Sequence, residues 1–321
     1  MSIHTVKRAQ SHLVWDNSIP PVLRVNSGET ITFDCLDASN GQVTSDTQAQ
    51  HLATLNFASL DQVNGPIYVS TAEPGDTLQI DVLDVQTADW GWTGIFPGFG
   101  ILADEFAVPE LKIWSLHTSE GEEESYGYAW FDKSKGIKIP LKPLAGEMGV
   151  APGEKGAFST IPPYKTGGNI DTKHLSKGST LYLPIEAEGA LFSVGDGHAA
   201  QGDGEVCGTA IETPMKITVR LTVLKDKQYV KTPHFQTPPT TKSESTDGYY
   251  CTTGVDPDIR EATRSAVRNM IAFLSAEYSL KPVESYMLCS VAGDLRMHEV
   301  VDMPNYVIGM MIPRSIFGHS S

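Results

Sequence analysis

The amino-acid sequence predicts a mainly β or α+β fold, arranged as a β-sandwich or as barrel-like sheets with few helices. The first observation is a weak repeat. Residues 28–33, 75–80 and 178–183 each place a glycine-containing turn before alternating apolar and polar residues, which is the pattern of a β-strand. The second observation is the content of 29 glycines and 20 prolines in 321 residues, which indicates many turns and long loops.

Further strands are predicted where β-branched and aromatic residues cluster between turn residues. These segments are residues 67–69, 112–116, 137–139, 217–224 and 285–291. One segment is typical of a helix, with Asp256 as N-cap and Pro257 in the first helical position. A single apolar face follows at helical spacing, formed by Val267, Met270, Ile271, Leu274 and Tyr278. We expect this helix to end near Ser279.

Composition and charge restrict the partners. The net charge of −15 argues against nucleic acid or an anionic membrane, because both attract a basic surface. There is no run of 18 apolar residues and no apolar segment near the N-terminus, so we expect neither a membrane span nor secretion. Four widely spaced cysteines are typical of a reducing compartment, and we therefore expect a cytoplasmic protein.

The chain is long enough for one large domain, and we predict a single domain over residues 1–321. A division into two β subdomains, about 1–165 and 166–321, is the alternative. The low-complexity stretch at residues 237–247 is typical of a linker or surface loop.

Residues 195–204 form the most distinctive segment, because they hold two acids, one histidine and four glycines. Glu205 follows directly. Carboxylates beside an imidazole make either a metal site or an acid–base site, and glycines let the backbone approach a ligand closely. The alternative is a glycine-rich hairpin with solvated acids.

Each polar residue of this segment has a candidate role. His198 is the first candidate for a metal ligand, and Asp196 is either a second ligand or a group that orients the imidazole. Asp203 is likewise either a metal ligand or a group that orients the imidazole, and its Gly-Asp-Gly setting equally suits a turn. Glu205 is the predicted general acid and base, with a structural ion pair as the alternative. Cys207 as a catalytic thiolate is a further alternative, although its surroundings favour burial.

Several blocks in chain order together resemble the acetamidase/formamidase family: residues 34–42, 65–78, 90–106, 149–171, 192–212, 248–258 and 289–305. The similarity runs from residue 12 to residue 313. The resemblance implies an amidohydrolase that releases ammonia and a carboxylic acid from a short-chain primary amide such as formamide or acetamide. It also implies a cyclophilin-like barrel in the second half and a homo-oligomer of at least two subunits. Asp171 lies in a block that is a hallmark of the resemblance, and we assign it a catalytic or ligand role.

Amide hydrolysis requires activation of water, stabilisation of the oxyanion and protonation of ammonia. The sequence has no Gly-x-Ser-x-Gly nucleophile motif, whereas Asp and His residues are concentrated. This favours a divalent metal, with zinc preferred, held by His198 together with two or more of Asp37, Asp171 and Asp196. Simple turn chemistry is the alternative role for Asp37.

Substrate contacts are predicted at five positions. Asn40 and Gln42 have side-chain amides that could hydrogen-bond an amide substrate, although their segment also reads as an ordinary turn. Trp92 and Phe99 belong to a glycine- and aromatic-rich segment that suits an apolar pocket wall, with aromatic packing in a loop as the alternative. Glu147 is an acid where the family resemblance implies a small or apolar residue. If it faces the pocket, the substrate is larger or cationic.

Two further functions remain open at this point. One is a non-catalytic protein that binds a small molecule or a metal on the same scaffold. The other is a lyase or cyclase that acts on a larger cationic substrate.

Overall fold

The computed structural model describes residues 3–117, 127–228, 230, 233–236, 249–299 and 306–317. Strands predominate among these residues and helices are few, which confirms the predicted mainly β class. The predicted linker at residues 237–247 lies outside the described residues. No helix in the described ranges is both long and apolar enough to span a membrane.

The first large sheet contains the three copies of the repeat as strands. Its six strands are, in order, β1 (Ile3–Val6), β5 (Glu29–Cys35), β18 (Met215–Leu224), β7 (Thr77–Thr87), β16 (Thr180–Pro184) and β19 (His234–Gln236). The copies are β5, β7 and β16. Each follows a glycine in the left-handed region, with φ of 90° at Gly28, 98° at Gly75 and 84° at Gly178. These turns need glycine because a Cβ is strained at such φ values.

The second large sheet carries the residues of the distinctive segment. Its strands are, in order, β14 (Pro163–Tyr164), β15 (Gly167–Asn169), β12 (Leu144–Gly149), β17 (Ala190–His198), β6 (Val63–Val69) and β2 (Ser11–His12), with β4 (Leu23–Val25) paired to β6. Both large sheets combine strands from before and after residue 165. A division of the chain near residue 165 would therefore pass through both sheets.

The two large sheets pack face to face over one hydrophobic core. Phe33 of β5 and Phe192 of β17 meet across this core, edge to face, with ring centroids 6.0 Å apart. Both side chains are fully buried. The core therefore fixes β17 rigidly, and with it the chemical groups at the end of that strand.

Smaller sheets and the helices enclose a second core. One sheet consists of β11 (Ile137–Pro140), β10 (Tyr128–Asp132), β9 (Glu110–His117) and β8 (Trp90–Ile95). Another consists of β20 (Tyr249–Asp256), β22 (Tyr306–Pro313) and β21 (Asp294–Glu299), and β3 (Val14–Trp15) pairs with β13 (Phe158–Ser159). The strands predicted at residues 67–69, 112–116, 137–139 and 217–224 are confirmed as parts of β6, β9, β11 and β18.

The predicted helix exists as α1 (Ile259–Tyr278), but it begins two residues later than expected. Asp256 ends strand β20, so it cannot cap the helix. Asp258 is the N-cap instead, and its carboxylate accepts hydrogen bonds from the backbone N–H groups of Arg260 and Glu261 at 2.8 and 3.1 Å. The helix ends as predicted, at Ser279, whose φ is 53°.

The strand predicted at residues 285–291 is wrong, because this segment belongs to helix α2 (Pro282–Ala292). Every residue from 285 to 291 is buried, so the apolar pattern shows no period that separates helix from strand. Pro282 at the first helical position and the Glu284 carboxylate, which accepts from Lys281 N–H at 2.8 Å, are the local signals for a helix. Short 3₁₀ helices occupy Ala49–Thr54, Phe57–Ser59 and Arg314–Ile316.

Candidate active site

The candidate site lies where strand β17 passes from the first core into the second. Asp196 and His198 are part of strand β17. The loop begins at residue 199, and Glu205 lies in its turn and not at the start of an outgoing strand. Asp171, Asp196 and Glu205 have φ values of 39°, 53° and 39°. Such strained backbone at three neighbouring acids is typical of functional sites.

Gln201 fixes the tautomer of the His198 imidazole. The Gln201 side-chain N–H donates to the backbone carbonyl of Asp171 at 2.8 Å, which leaves its Oε1 to face His198 Nδ1 at 3.0 Å. Because Oε1 only accepts, Nδ1 must carry the proton. The other ring nitrogen, Nε2, therefore presents a lone pair in the neutral imidazole.

Carboxylates surround this nitrogen. His198 Nε2 lies 3.0 Å from an oxygen of Asp196, 3.1 Å from one of Glu212 and 3.8 Å from one of Glu205. Asp171 lies 3.8 Å from Nδ1. The Nε2 atom is aligned with none of them as a hydrogen bond, and Asp171 Oδ1, Asp196 Oδ1 and Glu212 Oε2 are likewise buried without a hydrogen-bond partner.

This donor set fits a divalent cation. His198, Asp171 and Asp196 form one group in which all ligand atoms lie within 4.8 Å of one another, and His198, Glu205 and Glu212 form a second. A neutral imidazole lone pair aimed at carboxylates is repulsive unless a proton or a cation lies between them. Buried polar atoms without partners point the same way, since proteins rarely leave them unpaired.

The pKa values respond to the crowding of buried charge. Burial, and then the negative charges of Asp196 and Glu212, move the pKa of Glu205 well above its ordinary value. Burial and the charges of Glu205 and Asp196 do the same to the pKa of Asp171. Burial raises the pKa of Glu212 to about 8.

The histidine and Asp196 shift in the opposite sense. Burial alone would lower the pKa of His198, but the charges of Asp196 and Glu212 raise it well above 6.5. Burial alone would raise the pKa of Asp196, but the His198 charge outweighs it and the pKa falls. Without a cation, the buried charges therefore favour the protonated forms of His198, Asp171, Glu205 and Glu212.

Backbone geometry keeps the floor of the site open. Gly146 of β12 is paired opposite Asp196 of β17, and its carbonyl accepts from the backbone N–H of Asp171 at 3.1 Å. A side chain at this position would collide with Asp196 Oδ2 and would lie 2.5 Å from Asp171 Oδ1 and 2.8 Å from His198 Cε1. Glycine is required here by close approach, even though its φ is ordinary.

A cavity of about 260 Å³ opens onto the cluster. The cavity is lined by the predicted Trp92 and Phe99 and by five acids, Asp61, Asp171, Asp196, Glu205 and Glu212. Trp92 is almost fully buried and Phe99 is 43% exposed. The acid–histidine cluster is thus reachable from outside through an aromatic opening.

Other predicted contacts lie elsewhere. Asp37 belongs to neither ligand group, and its Oδ1 accepts from Trp92 Nε1 and from the backbone N–H of Ser39, each at 3.0 Å, and from the Ser39 hydroxyl. These hydrogen bonds are those of a turn, which was the alternative role for Asp37. Asn40 has φ of 57° in the same turn, and both ends of the Gln42 amide bond to the backbone of Asn56 at 3.2 and 2.8 Å. Neither Asn40 nor Gln42 lines the cavity.

Glu147 is fully buried and does not line the cavity. Burial, followed by the charges of Asp61, Asp196 and Asp171, moves its pKa well above the ordinary value. Glu147 therefore does not face the cavity, which was the condition under which the sequence suggested a larger or cationic substrate.

Asp203 also stands outside the ligand groups. It lies 3.8 Å from Lys173 Nζ and 3.9 Å from His174 Nε2. Cys207 is fully buried, and burial raises the pKa of its thiol to about 11, so it is not a thiolate nucleophile.

Sequence reasoning missed three residues of the site. Glu212 is held by two backbone hydrogen bonds to Trp92, of 2.8 and 2.9 Å. Its sequence signal was the presence of an acid within an otherwise apolar and threonine-rich segment. Gln201 lies inside the segment that was singled out, but its amide was not considered. Asp61, whose pKa burial raises to about 7, has no sequence signal that we can identify.

The fold and site match an amidase family. A model of the acetamidase/formamidase family matches residues 3–157 and 153–319, and the chain belongs to this family. A formamidase from Methylophilus methylotrophus is 29% identical, over 96% of this chain and 89% of that protein. An acetamidase from Mycolicibacterium smegmatis is 29% identical, over 67% of this chain and 66% of that protein.

Solved structures agree. A γ-lactamase from Delftia acidovorans superposes with a TM-score of 0.85 at 26% identity, covering 96% of this chain and 90% of that one. An acetamidase from Bacillus halodurans superposes with a TM-score of 0.67 at 29% identity, covering 96% of both chains. The chain is accordingly an amidase, a hydrolase of carbon–nitrogen bonds other than peptide bonds.

Proposed function

We propose that this amidase hydrolyses a short-chain primary amide, of the formamide and acetamide type, to a carboxylic acid and ammonia. The observation that carries the proposal is the buried cluster of His198 with Asp171, Asp196, Glu205 and Glu212 at the floor of a reachable cavity. Two of the relatives are a formamidase and an acetamidase, which agrees with this substrate class.

A divalent cation, zinc by preference, would be held by His198 with Asp171 and Asp196, and Glu205 and Glu212 supply the neighbouring oxygens. Such an ion supplies Lewis acidity, which polarises a carbonyl and lowers the pKa of water. Gln201 holds the imidazole in the orientation and tautomer that this role requires.

Glu205 would carry the proton transfers. Its side chain is 15% exposed and lines the cavity, whereas Glu212 is only 2% exposed. The carboxylate would take a proton from water as the carbon–oxygen bond forms, and would return it to the nitrogen as the carbon–nitrogen bond breaks. Charge from a nearby cation would lower the raised pKa of Glu205 and keep it ionised for the first step.

Ammonia release from formamide, acetamide and propionamide tests the proposal. We expect Glu205→Gln to lower kcat on the order of 10²–10⁴-fold while it retains the metal, because only proton transfer is lost. We expect His198→Ala to lose the metal itself. Glu154→Gln, on an exposed acid outside the cavity, is the matched control. Turnover of no amide by the metal-loaded protein would contradict the proposal, and equal metal content in His198→Ala would remove His198 from the ligands.

A cyclic amide is a second candidate substrate. The observation that favours it is the TM-score of 0.85 to the γ-lactamase, a higher value than the 0.67 to the acetamidase. An unsubstituted γ-lactam in the same assay, with the ring-opened amino acid as the measured product, decides between the two substrate classes.

We also propose a homo-oligomer in a reducing compartment, the cytoplasm. The buried, unpaired thiols of Cys35, Cys207 and Cys289 support the compartment. The oligomer rests on the family resemblance and on loop segments such as residues 90–106 that could pack at an interface, and light scattering at micromolar concentration measures it.

A further inference from the structure

Two polar side chains in the cavity have no part in the chemistry proposed so far. Seven acid, amide and hydroxyl side chains line the cavity, and four of them are the acids of the two ligand groups, Asp171, Asp196, Glu205 and Glu212. The hydroxyl of Thr209 donates to the carbonyl of Gly94 at 2.8 Å and accepts from its backbone N–H at 3.0 Å. Asp61 and Asn169 remain, and both are half-buried.

Asn169 presents a hydrogen-bond acceptor that the protein does not fill. Its Nδ2 donates to the backbone carbonyl of Ile161 at 2.9 Å. Because a carbonyl only accepts, the nitrogen end of the amide must lie there, which fixes the position of Oδ1. Within the described part of the chain, Oδ1 is buried without a hydrogen-bond partner, as is Oδ1 of Asp171 two residues later.

Asp61 presents a second acceptor. Its φ is 52°, and its backbone N–H donates to the carbonyl of Ala38, another residue of the cavity lining, at 2.9 Å. Its carboxyl makes no hydrogen bond or ion pair with a residue that the structure describes, and it belongs to neither ligand group. The backbone therefore holds this carboxyl at the cavity while the protein supplies no donor for it.

The two acceptors lie on the same side of the cluster. Asn169 is paired opposite Glu147 between strands β15 and β12. Burial, followed by the charge of Asp61, raises the pKa of Glu147, and the charges of Asp196 and Asp171 act on it less strongly. The Asp61 carboxyl is therefore near the same point. No lysine or arginine among the described residues lines the cavity, so the missing donors must come from a ligand.

We propose that Asp61 and Asn169 bind the nitrogen of the substrate amide, each accepting one of its two N–H groups, and thereby select an unsubstituted primary amide. This inference rests on the proposed amide hydrolysis and identifies the residues that recognise the reacting group. An ester oxygen has no proton to donate and would face two acceptors. A γ-lactam, with one N–H, would fill only one of them.

The same contacts assist the departure of nitrogen. As water adds to the carbonyl carbon, the amide resonance is lost and the nitrogen gains a free lone pair. With both N–H groups held by fixed acceptors, this lone pair is left to take the proton that Glu205 returns. The carbon–nitrogen bond then breaks, and the nitrogen leaves as ammonia with its two original protons and the new one.

Formamide and methyl formate test the inference, because both release formate but the ester has no N–H. We expect Asp61→Ala to lower the ratio of kcat/KM for formamide over methyl formate roughly 10- to 100-fold, and Asn169→Ala roughly 3- to 10-fold, as for loss of a charged and of a neutral acceptor. Asp61→Asn keeps an oxygen acceptor and should lie between Asp61→Ala and the wild-type protein. Formate is measured after subtraction of the enzyme-free rate. If the wild-type protein does not turn over the ester, the inhibition constant of the ester against formamide replaces its kcat/KM.

The wild-type protein gives a second measurement. N-methylformamide and N,N-dimethylformamide, with one N–H and with none, should show successively lower kcat/KM than formamide. Both alanine variants should keep the zinc content and the circular-dichroism spectrum of the wild-type protein, because neither residue belongs to a ligand group.

Asn17→Ala is the matched control for Asn169→Ala. The Asn17 amide nitrogen also donates to a backbone carbonyl, that of Pro152 at 2.9 Å, but Asn17 does not line the cavity, so the ratio should not change. An unchanged ratio in either Asp61→Ala or Asn169→Ala would remove that residue from the nitrogen site and overturn the inference. Loss of zinc from Asp61→Ala would also overturn it, because Asp61 would then be a metal ligand. Failure of the proposed function is a different result, in which no amide is hydrolysed at all.

Discussion

Individual atoms of the site decide what it can hold. Nε2 of His198, Oδ1 of Asp171, Oδ1 of Asp196 and Oε2 of Glu212 are buried without a hydrogen bond. Each such atom costs about 1–3 kcal/mol in an otherwise paired interior. Four of them at one point indicate that a proton or a cation is shared among these side chains.

Gly146 is the position in the site where an added side chain would have the least space. Gly146→Ala would place a methyl group against Asp196, Asp171 and His198 together. These side chains cannot retreat, because Asp196 and His198 stand on the buried strand β17. We expect at least a 100-fold loss of kcat/KM and less than one equivalent of metal, with an unchanged circular-dichroism spectrum. Metal analysis of the purified variant beside the wild-type protein measures the loss of metal.

Gly153→Ala is the control for that substitution. Its added Cβ would lie 3.0 Å from the carbonyl of Glu186, on an exposed turn outside the cavity. We expect wild-type metal content and activity from it. Full metal content in Gly146→Ala would mean that the ion is not held by the three side chains that Gly146 faces.

Sequence reasoning reached part of the site at this scale. His198, Asp196, Asp171 and Glu205 were found because acids, histidine and glycines were concentrated, or because a family block carried them. Asp61 and Glu212 were missed, since each joins the cluster through tertiary pairing that no local pattern encodes. Asp37 lies outside both candidate ligand groups, and an Asp at a strand end suits a turn as well as a ligand.

Asp294 links two active-site loops to the C-terminal sheet. Asp294, the first residue of β21, is nearly fully buried. Its Oδ1 accepts from the backbone N–H of Asp203 at 3.1 Å and forms an ion pair with Lys173, while its Oδ2 accepts from Arg296 at 3.0 Å. Lys173 lies two residues after Asp171, and Asp203 lies two residues before Glu205. One carboxylate thus joins both loops to the C-terminal sheet.

We therefore predict that Asp294 positions the site without touching the substrate. Asp294→Asn keeps an acceptor for Asp203 but loses the charge opposite Lys173, and Asp294→Ala loses both. We expect metal affinity to fall roughly 10- to 100-fold, the range for outer-shell groups, with the alanine variant the weaker of the two. We expect kcat to fall more than KM rises. Metal titration and steady-state kinetics measure these effects.

Asp81→Asn is the matched control for Asp294. Asp81 is also a mostly buried acid paired with an arginine, Arg220, at 2.8 Å, but it lies within the first large sheet. We expect a lower melting temperature with normal metal affinity. If Asp294→Asn shows the same pattern, Asp294 stabilises the fold and has no positioning role.

The elements themselves were predictable where local pattern and environment agreed. The repeated glycine turn before an alternating strand predicted β5, β7 and β16, because each strand has one face on the core. Helix α2 was not predictable in this way. Residues 285–291 are all buried, so their apolar side chains do not alternate with polar ones at the spacing of either a helix or a strand.

At the scale of the whole molecule, the site buries a group of acids in a chain whose net charge is already −15. Glu212 has an ordinary pKa of 4.5 and a folded value of about 8, and the folded pKa of His198 lies well above 6.5. The folded state therefore binds more protons than the unfolded chain between these values. Stability contributed by such groups is complete below the unfolded pKa and is lost as the pH rises through the folded one.

This gives a pH dependence that is opposite to that of an ordinary carboxylate pair. In the presence of a chelator, we expect the melting temperature to fall as the pH rises from about 5 to about 8, because unpaired charge accumulates in the cluster. Excess divalent cation should abolish this fall in melting temperature. An ion present at 100 times its Kd adds about 2.7 kcal/mol to the free energy of unfolding, and protons compete with the ion less at higher pH. Thermal scans at several pH values, with chelator or with zinc, measure both effects.

Other groups in the chain also titrate between pH 5 and 8, so the prediction is tested on the difference between two variants. Glu212→Gln removes one buried acid of the cluster, and Glu154→Gln removes one exposed acid elsewhere. With chelator, the slope of melting temperature against pH should be shallower in Glu212→Gln than in the wild-type protein and unchanged in Glu154→Gln. The zinc response should shrink in Glu212→Gln alone. If both variants keep the wild-type slope, the pH dependence arises outside the cluster, and the buried charges are balanced within the protein itself.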